Sequence, residues 1–154
     1  MTLASQLAEV RASVLVAADR DAVLEAAAEL LACRQAGGEE LRISLQAREG
    51  LGSTAIGHGV AIPHGRSHAL ETPRGALLRL EPPVDFNAGD GQPVDLVFAM
   101  AVPDHYTHQH LMLLSELAER FSDERFRSAL RNAPDAGTMR SLLLDDPYPP
   151  KAAA

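Results

Sequence analysis

Short solid runs of apolar residues alternate along the chain with stretches in which apolar positions recur three and four apart, which predicts strands and helices in turn. Val14-Leu15-Val16 reads as a first short strand. Asp19 is the predicted side-chain cap of a helix through Ala32, with Val23, Ala26, Ala27, Leu30 and Leu31 at helical spacing and Gly37-Gly38 closing it. A second helix is predicted from Glu39 to about Glu49, with Leu41 and Leu45 on one face, which would set Arg48 at its carboxyl end. Val60-Ala61-Ile62 reads as a buried strand that ends on a Pro63-His64-Gly65 turn. Gly75 to Leu80 is a further strand, stopped at Pro82-Pro83 because proline cannot donate to a ladder.

Asn87 to Gln92 is polar and rich in Gly and Asp, and reads as a loop. Val94 to Val102 is the longest apolar run and is predicted as the central strand, ending at Pro103. Asp104 to Gln109 connects it to an amphipathic helix with Leu111, Leu114, Leu117, Ala118 and Phe121 turned inward. Ser122 caps a short helix to Arg131, and Ala136 to Leu144 makes the last one. The prolines at 147, 149 and 150 mark residues 147–154 as a flexible tail, leaving 1–146 as one domain. The pattern as a whole predicts a single α/β sandwich, a central mixed sheet with helices on both faces.

Composition narrows the function. The chain has 154 residues, enough for one domain that buries a sizeable core, and a formal net charge of −7. An acidic surface argues against non-specific binding to nucleic acid or anionic membranes. Cys33 is the only cysteine, so no intrachain disulfide is available, as suits a reducing compartment. No charged-then-apolar leader opens the chain and no apolar run approaches the roughly 20 residues of a membrane span, so a soluble cytoplasmic protein without membrane insertion is expected.

The chemistry concentrates between Arg48 and Arg66. Proline fixes its own φ and glycine widens the backbone's choice, so the Pro-His-Gly sequence can aim the His64 imidazole and leave one face open. A neutral imidazole held by one nitrogen can attack an electrophile with the other. Just before it, Arg48 and the Gly52-Ser53-Thr54 loop gather a guanidinium, two hydroxyls and backbone donors, which is what a doubly charged phosphoryl group needs. The loop follows neither the GxxxxGK[ST] nor the GxGxxG pattern. Six histidines, His58, His64, His68, His105, His108 and His110, raise the alternative of a metal-dependent hydrolase, but no HExxH is present, and no metal or other cofactor is expected.

Arg48-Glu49, Gly52-Ser53-Thr54, Ile56-Gly57 and Gly59-Val60-Ala61-Ile62-Pro63-His64-Gly65 together resemble the active-site motif of fructose/mannitol-type enzyme IIA domains of the bacterial phosphoenolpyruvate:sugar phosphotransferase system. The later run from Pro82 to Phe86, Asp90 to Ala99, Val102-Pro103 and His110-Leu111 is closest to that family's nitrogen-regulatory branch. The resemblance extends from about Leu3 to Leu144. It implies a phosphohistidine carrier that takes a phosphoryl group on His64 from an HPr-like phosphocarrier, with His110 as a second active-site histidine. Arg48, Ser53, Thr54 and Gly65 are the expected phosphate-binding positions. It implies regulatory target proteins as partners or, in the sugar-specific alternative, a IIB domain that receives the phosphate for uptake.

Overall fold

The computed structural model describes residues 6, 7, 9–105 and 107–145. The predicted tail, 147–154, lies outside the described residues. Six strands form one mixed sheet: β1 (Val10–Leu15), β2 (Ala55–Gly57), β3 (Val60–Ala61), β4 (His64–Ser67), β5 (Arg74–Val84) and β6 (Val94–Pro103). The order is β1-β5-β6-β3-β2, with β4 also on β6. β1 runs parallel to β5, β5 antiparallel to β6, and β3 and β4 both parallel to β6.

Five helices complete the fold: α1 (Arg20–Leu31), α2 (Gly38–Leu51), α3 (Thr107–Ser122), α4 (Glu124–Asn132) and α5 (Ala136–Asp145). Side-chain alternation along the central strand explains the layering. On β6, Val97, Ala99 and Ala101 join a core with Leu24 and Leu31 of α1 and Leu41 and Leu45 of α2. Leu96, Phe98, Met100 and Val102 join the opposite core with Leu113, Leu117 and Phe121 of α3, Leu130 of α4 and Leu143 of α5. Each of the larger side chains sealed this way contributes roughly 1.5–3 kcal/mol relative to exposure. The predicted sandwich with helices on both faces is therefore the observed one.

Several local expectations needed correction. β1 begins earlier than the Val14-Leu15-Val16 run, and Val16 lies beyond it, exposed. Gly37 does not end α1 but caps the start of α2 in an extended conformation, while Asp19 caps α1 through an Oδ1 that accepts from Ala22 N–H at 2.8 Å. Pro82-Pro83 does not stop β5, which continues to Val84 across a register shift. Ser122 is the last residue of α3, its hydroxyl donating to the Glu119 carbonyl, and Asp123 caps α4. Leu111 points outward at 66% exposure, and His110, Leu113, Leu117 and Phe121 form the buried stripe of α3 instead.

Candidate functional site: two histidines and an arginine

His64 opens β4 rather than sitting on a turn past a strand's end. β3 and β4 lie in succession along the same side of β6, Val60 opposite Leu96 and His64 opposite Met100. Between them the ladder continues through the Pro63 carbonyl, which accepts the Met100 N–H at 2.9 Å, so the missing proline N–H interrupts one line of pairing without ending it. Gly65 has no positive φ; its role is close approach. A Cβ there would stand 2.8 Å from Ser44 Oγ and 3.3 Å from the Leu45 backbone nitrogen, so α2 packs directly on the β4 backbone. Alternation then turns His64 to the other face, where its ring meets that of His110 at a centroid separation of 5.1 Å and a 57° tilt.

The hydrogen bonds of His64 define its proton. Nδ1 lies 3.0 Å from the Ile62 carbonyl oxygen, which can only accept, so Nδ1 carries the hydrogen. Nε2 accepts from Arg48 Nε–H at 3.2 Å and therefore carries an electron pair rather than a hydrogen. Burial lowers the His64 pKa below its ordinary value and the charges of Arg48 and Arg66 lower it further, against a raising influence of the Ile62 bond and Glu49. At neutral pH the ring is an uncharged base with a defined tautomer. Arg48, in the last turn of α2 as expected, is steadied by a second bond from Nη1 to the Gly52 carbonyl at 2.8 Å.

His110 sits in the first turn of α3 and is 4% exposed. Its Nδ1 has no hydrogen-bond partner among the described residues. Burial, followed by the proximity of His64 and Arg66, holds its pKa down at about 4, so this ring is neutral too.

The hydroxyls expected around the phosphoryl group are committed elsewhere. Ser53 Oγ donates to the Phe86 carbonyl at 2.6 Å and accepts from Ala55 N–H at 3.1 Å. Thr54 Oγ1 donates to Glu49 Oε2 at 2.6 Å. Each hydroxyl has one proton to give, so in this conformation neither Ser53 nor Thr54 offers a donor at His64. Both still line, with Arg48, Ile56, Ile62 and His64, a cavity of about 360 Å³ whose opposite wall is Leu114, Ser115 and Ala118 of α3. A second depression of about 480 Å³, beside the start of α1, is lined by three carboxylates, Asp19, Asp21 and Asp85, against one guanidinium, Arg20, so its charge is net negative.

Sequence reasoning missed Glu49 as a participant. It stands one turn past Leu45 and two past Leu41, where the apolar stripe of α2 would continue, and it is 3% exposed. A carboxylate interrupting an apolar stripe was the available signal. The remaining histidines do not converge: among the described residues no group of three or more His, Cys, Asp or Glu could hold a metal ion. Among them, too, no helix is long and apolar enough to cross a membrane.

The family model for the phosphoenolpyruvate-dependent sugar phosphotransferase system EIIA 2 matches residues 9–145. The chain belongs to this EIIA type 2 family. A nitrogen regulatory protein from Pseudomonas aeruginosa is 45% identical over 102 residues, 66% of this chain and 66% of that protein. The nitrogen regulatory protein IIA-Ntr from Neisseria meningitidis superposes with a TM-score of 0.81 at 37% identity, covering 87% of this chain and 92% of that one. The mannitol IIA of Escherichia coli shares the fold alone, with a TM-score of 0.70 at 20% identity over 85% of this chain and 95% of the other. Type 2 EIIA membership thus agrees with the motif between Arg48 and Gly65, whose arginine and histidine the fold brings into contact.

Proposed function

We propose that this type 2 EIIA chain is a phosphohistidine carrier that takes its phosphoryl group on His64 Nε2 from an HPr-like phosphocarrier. The observation that carries the reading is the pair of bonds on His64, one fixing the hydrogen on Nδ1 and the other directing Arg48 at Nε2. When the donor's phosphohistidine docks over the cavity, Arg48 Nε–H turns from Nε2 to a phosphoryl oxygen, and the Nε2 electron pair so released attacks phosphorus in line. The new N–P bond forms as the donor's N–P bond breaks, and the donor imidazole leaves with that electron pair. Phosphoryl transfer of this kind asks the protein mainly for positioning and charge stabilisation. Arg48 supplies a guanidinium beside the transferred group, and His110, neutral and with its ring centroid 5.1 Å from that of His64, closes the other side. Ser53 and Thr54 act by holding the loop rather than by donating to the phosphoryl oxygens. Gly65 acts by letting α2, and Arg48 with it, approach β4.

The role of the carrier is regulatory in this reading: its phosphorylation state decides which target proteins it binds. The 45% identity to a protein named for nitrogen regulation supports it. A doubly charged group on His64, in the cavity that the exposed Ile56 helps to line, would change what this surface can bury.

The test is labelling. With phosphoenolpyruvate and the upstream relay that charges the HPr-like donor, the parent chain should gain one acid-labile, base-stable phosphate that His64→Ala abolishes. Labelling that survives the substitution would refute the assignment. Efficient passage of the label to a sugar-specific IIB domain would replace the regulatory role with a transport role.

A further inference from the structure

A run of hydrogen bonds leads from the interior to the reacting ring. Glu49, 3% exposed at the end of α2, accepts from Thr54 three times: the backbone N–H at 3.1 Å to Oε1 and 3.3 Å to Oε2, and the hydroxyl at 2.6 Å to Oε2. Thr54, itself 6% exposed, uses its carbonyl to accept the Ile62 N–H at 3.1 Å. Ile62 then presents its own carbonyl to His64 Nδ1 at 3.0 Å. The two backbone groups of Ile62 thus tie Thr54 on one side to the His64 ring on the other.

We propose that Glu49 is a positioning residue for His64, setting through Thr54 and Ile62 the tautomer that keeps the hydrogen off Nε2, the nitrogen that accepts phosphorus. A simple loop tie would not require a carboxylate. Burying one costs several kcal/mol unless it is well bonded, and a hydroxyl or amide could hold a turn at lower cost. What the carboxylate adds is exclusive acceptor character: it takes both Thr54 donors at once and offers no hydrogen of its own, so Thr54 has one orientation only. The same residue is close enough for its charge to favour protonation of the His64 ring, opposing Arg48 and Arg66. Glu49 therefore acts on posture, while Arg48, one position earlier, contacts the ring itself.

The kinetic arm of the test rests on the phosphohistidine reading; the spectroscopic arm does not. Ring nitrogen chemical shifts and two-bond N–H correlations of His64, measured on the full chain at pH 8, report the tautomer directly. The parent should show the Nδ1–H form. Glu49→Ala and Thr54→Val should each populate both tautomers and slow phosphoryl acceptance about tenfold, the order of loss when an outer hydrogen-bond partner of an imidazole is removed. Thr54→Ser, which keeps the hydroxyl, should match the parent in both readouts. Should Glu49→Ala fail to fold, Glu49→Met takes its place, since its thioether fills similar space and accepts hydrogen bonds only weakly. Slower transfer with an unchanged tautomer would overturn the proposal, as would parent-like values for both in Glu49→Ala or Thr54→Val. A parent chain that takes no label would overturn the carrier reading alone, and the nitrogen shifts would still decide on Glu49.

Discussion

Acidification should unfold this protein earlier than its carboxylates alone dictate, because His110 is kept neutral in the fold. Its ring is 4% exposed and its pKa is held at about 4 by burial, then by His64 and Arg66, against 6.5 when unfolded. A histidine with a depressed folded pKa binds its proton in the unfolded chain first. Its contribution to stability is therefore complete above pH 6.5 and is lost as the pH falls from 6.5 toward 4. At about 1.36 kcal/mol for each pH unit, the interval corresponds to about 3 kcal/mol, a large share of a typical domain's margin. His64, whose pKa is also lowered by burial, adds to the loss in the same direction. Urea denaturation at pH 7.5, 6.5, 5.5 and 4.5 should show the parent losing stability across this window, and His110→Leu, which cannot titrate, losing about 3 kcal/mol less between the extremes. Equal pH profiles for the two chains would refute the argument, since carboxylate titration is common to both.

Three further outcomes are expected. Gly65→Ala should cost about 1–3 kcal/mol and slow phosphoryl acceptance, because the new methyl meets Ser44 Oγ at 2.8 Å and Leu45 N at 3.3 Å and α2 must retreat, taking Arg48 from His64; stopped-flow transfer at the parent rate would contradict this. Gly75→Ala should destabilise by a similar amount without touching the site, since its Cβ would lie 2.6 Å from Phe98 Cζ in the core, and an unchanged urea midpoint would count against it. Asp95→Asn should lower stability by about 1–2 kcal/mol and loosen the β2–β3 turn, because Arg131 bonds both Asp95 oxygens, at 2.8 and 2.9 Å, and also the His58 carbonyl. Amide hydrogen exchange at residues 57–60 reads the loosening, and parent-like protection there would oppose it.

Much of the fold was legible because the two periods that govern it are strong. Val94 to Val102 could only be a strand covered on both faces, and Asp19 announced α1. Boundaries failed where a residue's usual role was overridden by its neighbours: Gly37-Gly38 starts a helix because the chain must re-enter α2 at once, and Pro82-Pro83 stays in β5 beyond a register shift. In the site, His64 and Arg48 were readable from their motif, and their contact is what the fold adds. The hydroxyls of Ser53 and Thr54 were not, because a hydroxyl's partner is set by tertiary placement; Phe86 lies 33 positions from Ser53. Leu111 lost its expected inward face because α3 begins at Thr107 and is rotated so that the neighbouring imidazole of His110, not the leucine, meets His64.

The pairing of β4 with β6, its one strand partner among the described residues, also orders events during synthesis. His64 emerges from the ribosome well ahead of Val94–Pro103, the strand against which its own backbone is hung, and ahead of the helix that brings His110. Until those later residues emerge, the imidazole lacks both its track and its companion, so in the proposed carrier role a nascent or truncated chain ending before β6 should be unable to compete with finished molecules for a donor's phosphate.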